Sequence, residues 1–318
     1  CIRDSPKGLY NYFKVYFNLY KEEGSGVSLE QLFNKYEELV EKFEFEMGAY
    51  SKKLDLLLNK VDNDDPLTSR ETKNKRVYEV NMIACSTYLN NLNAIIAKES
   101  TCENLIPLYR KSFDDFKSDP VWLNRAASRM DSKECSDDPL FVELVEALHS
   151  LNPSANSAYY LGLLNDKKGD SRTAIKFYNE SIELETDNIK KAKTLYKIAL
   201  KFKKSKQFSK SRTYANRALN YQPSLGSAYL LIANLYASSA NNCGNTQFDK
   251  RAVYWLAAKQ ARRAASVDAS IRKTANRTAL SYEGRAPSKT DIFTEGGAGE
   301  TISVGCWIGK SISVPNLQ

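Results

Sequence analysis

Helix-breaking residues recur along this chain at a nearly fixed interval, and that interval limits the folds open to it. Asp119-Pro120, Asn152-Pro153 and Gln222-Pro223 each read as the end of a helix. Pro120 and Pro153 lie 33 residues apart (153 − 120), and Pro153 and Pro223 lie 70 apart (223 − 153), or two units of 35. A period near 34 with two helices per unit describes a stack of helical hairpins, each burying its apolar face against the next. Small residues keep the same register. Gly162, Ala174 and Ser181 fall in the unit 155–188, and Ala199, Ser211 and Ala218 in the unit 192–225, at intervals of 12 and 7 in both. Ala233, Ala257 and Ala264 continue the series in a third unit, interrupted by an insertion over 238–249. Small side chains are a steric requirement where two helices cross closely. The stretch 101–154 carries a degenerate version of the unit.

The ends of the chain depart from this period. Aromatic and apolar residues at helical spacing run from Tyr10 to Tyr20, and Gly24-Ser25-Gly26 closes that helix. Ser28 and Gln31 form a capping box for a long helix to about Lys60, with one apolar stripe from Leu32 to Leu57. Residues 62–66 make a turn, and Thr68 or Ser69 starts a second long helix to about Glu99. Each would extend roughly 45 Å, longer than a repeat helix, so residues 1–100 are expected to hold an extended helical hairpin. Ala286-Pro287 breaks the last helix. In 286–318 a glycine-rich loop at Gly296, Gly297 and Gly299 precedes two alternating runs around Gly305-Cys306-Trp307-Ile308-Gly309, which read as a β-hairpin. A lone hairpin is marginal in water, so it must pack on the last helices. The expected fold is therefore all-α: three repeat units over 155–285, a long hairpin in front and a small β-hairpin behind.

Catalysis finds little to work with. No phosphate-binding glycine loop, dinucleotide fingerprint, metalloprotease motif or nucleophile elbow occurs. The lone histidine, His149, lies on a helix near its C-terminus, where a surface role outweighs that of a catalytic base. The chain is expected not to be an enzyme and to need no cofactor. No apolar run approaches the roughly 20 residues that span a bilayer. The net charge is +8, and between Ile189 and Phe248 there is no Asp or Glu at all. That stretch carries Lys190, Lys191, Lys193, Lys197, Lys201, Lys203, Lys204, Lys206, Lys210, Arg212 and Arg217. A solvated face accounts for most such runs; the functional alternative is an anionic partner, which is an acidic protein, a lipid head group or nucleic acid, with nucleic acid ranked last.

Of the six cysteines, no two have metal-ligand spacing, and one histidine makes a zinc site untenable. Cys102 and Cys135 sit beside helix ends in adjacent segments, Cys243 in a loop and Cys306 in a turn. Loop cysteines suit disulfides and hence an oxidising compartment, so the pairs Cys102–Cys135 and Cys243–Cys306 are expected; reduced thiols in a cytoplasmic protein are the alternative. Cys85, among Val80, Ile83 and Ala84, reads as a core residue. The chain opens on Cys1, either a lipid-bearing first residue or a truncation point. The direct run of 6–10 into a helix favours truncation.

The repeat units resemble tetratricopeptide repeats. The series CENLIPLY (102–109), DPLFV (138–142), NNCG (241–244), RAVYWL (251–256), APSKTDIF (286–293) and GCWIG (305–309) is similar to exported tetratricopeptide-repeat proteins of Bacteroidota bacteria. The resemblance implies secretion to the periplasm or beyond, with further repeats upstream, and carries no reaction or ligand. It also implies a concave groove lined by the first helix of each unit: Tyr159 and Leu163, with Asn156, Asp166 and Lys167; then Lys193, Tyr196, Leu200, Lys203 and Lys204; then Leu230 and Asn234, with Ser227. Tyr159 and Leu163 stand where carboxylate-clamping repeats carry Lys and Asn, so a peptide with apolar anchors suits the groove better. The expected function is a scaffold for protein or peptide binding in a cell-envelope or secretion assembly. An envelope-attached structural protein without a dedicated ligand is the alternative.

Overall fold

The computed structural model describes residues 5–295 and 297–316; Cys1 and Gly296, both named above, lie outside them. Fourteen α-helices and one two-stranded sheet occur among the described residues. The helices are α1 (Pro6–Lys21), α2 (Leu29–Asp62), α3 (Ser69–Ile96), α4 (Cys102–Phe116), α5 (Pro120–Ser132), α6 (Pro139–Leu151), α7 (Ala155–Lys167), α8 (Ser171–Leu184), α9 (Asn188–Lys204), α10 (Phe208–Tyr221), α11 (Gly226–Ser239), α12 (Gln247–Val267), α13 (Arg272–Glu283) and α14 (Lys289–Glu295). The strands are β1 (Thr301–Val304) and β2 (Lys310–Ser313). None of the described helices is long and apolar enough to cross a membrane.

Local chemistry explains where these helices start. Gln31 N–H donates to Ser28 Oγ and Ser28 N–H to Gln31 Oε1, at 3.1 and 2.9 Å, the reciprocal box expected for α2. Thr68 and Glu71 form the same arrangement ahead of α3. Asp119-Pro120, read above as a helix end, instead opens α5. Asp119 accepts from Val121 N–H at 2.8 Å, and Pro120 occupies the first helical position, where its missing N–H costs nothing. The tail also differs from the reading above. Ser288 caps the short helix α14, with Asp291 returning a bond to its N–H, so the break at Pro287 restarts a helix.

Two compact units divide the chain: residues up to Tyr50 with Asn81–Asp187, and Ser51–Val80 with Asn188 onward. The boundaries fall within α2 and α3, which contribute one part to each unit.

In the first unit, α4, α5, α6, α7 and α8 pack in sequence-neighbour pairs around Leu105, Leu123, Met130, Phe141, Tyr160 and Tyr178. The α7–α8 crossing is closest at Gly162, where an added β-carbon would meet the Tyr178 ring at 2.4 Å and the Ala174 carbonyl at 3.2 Å. Ser181 Oγ donates to the Ala155 carbonyl at 2.5 Å in the same crossing. Cys102 and Cys135 are joined as a disulfide, tying the start of α4 to the segment after α5. Cys85 is buried and free.

The second unit is built from α9 on α10, α11 on α12 and α12 on α13. Ser211 Oγ donates to the Ala199 carbonyl at 2.7 Å, and Ala199, Ala218, Ala233, Ala257 and Ala264 are all fully buried. The 51–80 segment is held by polar contacts. Ser224 N–H donates to Asp55 at 2.8 Å, Gln222 donates to Ser51 Oγ at 2.7 Å, and Arg263 and Arg272 pair with Asp62 and Glu79 at 2.5 and 3.0 Å. β1 and β2 pair antiparallel with Ile302 opposite Ile312. The hairpin packs on α12 as its marginal size requires. Trp307, in its turn, donates from Nε1 to Ser239 Oγ at 3.0 Å and contacts the rings of Phe208 and Tyr236. Arg212 donates to the carbonyls of Trp307 and Ile308, and a Cys243–Cys306 disulfide fastens the turn to the 238–249 insertion.

Candidate functional site

The face of α9 that the sequence assigns to binding belongs to the second unit. Lys193, Tyr196, Leu200 and Lys203 follow at steps of three, four and three, so they share one side of the helix, with Lys204 adjoining. Lys204 is exposed, Leu200 is 38% exposed, and Lys193, Tyr196 and Lys203 are half-buried. Tyr196 faces Ser227 at the start of α11, and α9 and α11 are in contact. Burial pushes the Tyr196 phenol above the ordinary tyrosine value, while the Ser227 side chain opposes that shift. Chemically, a half-buried aromatic ring on a lysine-rich helix face offers apolar contact and positive charge together.

On α11 the set is more occupied. Leu230 is half-buried and packs against the cluster of Ala264, Ala265 and Ala275. Asn234 accepts a hydrogen bond from Tyr282 of α13 at 2.5 Å. Tyr282 was not singled out by sequence, because it lies past Ala264, the last small residue named in the register.

The two first-unit positions are interior. Tyr159 and Leu163 each expose 3% of their surface. Tyr159 donates to Asp131 of α5 at 3.1 Å and lies against the rings of Tyr160 and Tyr178. Burial first, and the Asp131 carboxylate second, hold its phenol well above the ordinary value. Neither residue presents a face to a ligand in this structure, because α5 and the paired helix α8 cover that side of α7. Asn156 donates to Asn124, and Lys167 donates to Ser136 Oγ and Asp137 at 2.8 and 2.7 Å, so these positions too are engaged within the unit.

His149 has a structural environment. Its Nδ1 is 3.0 Å from Ser157 Oγ and its ring meets Phe177 edge-on. Among the described residues, no group of three or more His, Cys, Asp or Glu side chains is placed to hold a metal ion. No protein-family model matches this chain, and no curated protein matches it.

Proposed function

We propose that this protein is an exported tetratricopeptide-repeat scaffold that binds a protein or peptide on the α9–α11 face. The observation that carries the reading is the recurrence of small residues at the helix crossings in one register. Gly162 lies beneath Tyr178, Ser211 bonds to the Ala199 carbonyl, and Ala233, Ala257 and Ala264 are fully buried. The contact of α9 with α11 adds support, since it sets the first helices of two successive pairs side by side. Export is supported by the two disulfides, which suit an oxidising compartment. The binding surface is Tyr196 and Leu200 with Lys193, Lys203 and Lys204, extended by Leu230; the ligand is an acidic segment with apolar anchors, in an envelope or secretion assembly.

A second reading, a structural repeat protein without a dedicated ligand, draws on the burial of Tyr159 and Leu163 and on the Asn234–Tyr282 bond. The test begins with recovery of a partner from native envelope extract. Against that partner, Lys203→Glu with Lys204→Glu is expected to slow association and flatten its salt dependence, since screening acts over about 8 Å at physiological ionic strength. Tyr196→Ala is expected to speed dissociation. A silent Tyr196→Ala would dismiss the groove in favour of the structural scaffold.

A further inference from the structure

We infer that the seam between α9 and α10 is a second docking surface, one that takes a linear acidic protein segment. Three cations along it are seated on aromatic faces. Lys210 Nζ lies 5.3 Å from the Phe202 ring centre, Arg217 Cζ 5.1 Å from that of Tyr214, and Lys191 Nζ 5.5 Å from that of Tyr221. Phe202 and Tyr214 are buried and stacked on each other at 5.3 Å, so two of these seats are rigid. Lys210 is exposed, and Lys191 and Arg217 are half-buried. Arg212 is similarly placed over Trp307, but its guanidinium is spent on hairpin carbonyls and belongs to that anchor.

Position along the helices sets the spacing. Lys210, Arg217 and Tyr221 with its Lys191 advance along α10 by about 10 Å and then about 6 Å. The i, i+7 and i+11 positions of a helix repeat these two steps, so Asp or Glu at those places match the row when the segment is helical. No residue from Ile189 to Phe248 is acidic, so the whole segment that carries the seam offers one sign of charge. Seating a lysine on a ring restricts its stem before any ligand arrives, which lowers the ordering cost that weakens most surface ion pairs. A bilayer presents charge in a plane and rewards inserted apolar side chains. The seam cations are seated on rings rather than spread over a plane with inserted apolar groups, and α10 carries no exposed large apolar residue.

The test uses the full chain with its disulfides intact and fluorescein-labelled poly-L-glutamate as the probe, followed by anisotropy. Lys191→Gln with Lys210→Gln is expected to weaken binding about tenfold, while Lys98→Gln with Lys111→Gln, an equal change of net charge, leaves it within about twofold. Tyr221→Leu changes no charge, yet by unseating Lys191 it should cost about threefold. Equal losses in the two double variants would overturn the inference in favour of overall charge. Binding to phosphatidylglycerol vesicles but not to poly-L-glutamate would overturn it in favour of a membrane surface. Tyr196 and Leu200 take no part here, so the groove proposed above can fail while the seam stands, and the reverse.

Discussion

Gly162 lies directly beneath the ring of Tyr178. A β-carbon at Gly162 would stand 2.4 Å from the Tyr178 Cδ1, and the ring, itself fully buried, has no open space into which it can swing. Helix propensity alone would make Gly162→Ala stabilising by about 1 kcal/mol. The clash opposes it at about 1–3 kcal/mol, and the adjacent Ala174 carbonyl leaves little room for relaxation. Chemical denaturation is therefore expected to show Gly162→Ala destabilised, with Gly162→Leu worse and Lys203→Ala within about 0.5 kcal/mol of wild type. A stabilised Gly162→Ala would mean the crossing is looser than this geometry.

Arg129 and Glu37 form a well-shielded ion pair. The Arg129 side chain is 4% exposed, its guanidinium is 4.2 Å from the Phe33 ring centre, and it also donates to the Phe33 carbonyl. Removing one partner strands the other charge, so Glu37→Gln is expected to destabilise the first unit by about 3–5 kcal/mol. Replacing both, with Arg129→Met and Glu37→Leu, is expected to cost much less. A double-mutant cycle measured by denaturation checks this; additive effects would show that the two side chains do not act as a pair.

The two disulfides span 33 and 63 residues. The chain-entropy relation assigns each about 4 kcal/mol of stabilisation. Thiol titration in denaturant without reductant is expected to find Cys85 free and none of Cys102, Cys135, Cys243 or Cys306. Cys243→Ser with Cys306→Ser should lower the denaturation midpoint and redden Trp307 emission as the hairpin loosens. Peptide mapping that finds all four thiols free would remove the bridges, and with them the support for export.

The Glu71 carboxyl is held down to about 2, first by the Lys60 ammonium at 2.9 Å and then by the Thr68 N–H and hydroxyl. Its folded value lies below its ordinary 4.5, so its stabilising contribution is present above that ordinary value. It is lost as pH falls through the window toward about 2. Melting temperature followed between pH 5 and about 2 should fall less steeply in Glu71→Gln than in wild type. Identical slopes would show that the bond with Lys60 does not persist in solution.

Local patterns in the sequence determined most of the helices, the Ser28–Gln31 box and the C-terminal hairpin. Each depends on residues close in sequence, or on a requirement that any neighbour would impose: a cap must accept an N–H, and a close crossing needs a small side chain. The two cysteine pairs, 33 and 63 residues apart, were read instead from the placement of their cysteines in loops and beside helix ends. Asp119-Pro120 was misread for a related reason, since the same dipeptide can close one helix or cap the next and local chemistry favours both. The tertiary structure alone decided which face of each helix stays available. Tyr159 and Tyr196 occupy equivalent positions in the period, yet Tyr159 meets Asp131 and Tyr178 in the interior while Tyr196 keeps part of its ring at the surface. It also decided that α2 and α3 divide between two units and that Arg129 reaches Glu37 across 92 residues. Periodicity records which side chains must avoid water, but the neighbour that excludes the water comes from distant parts of the chain, and no local pattern encodes it.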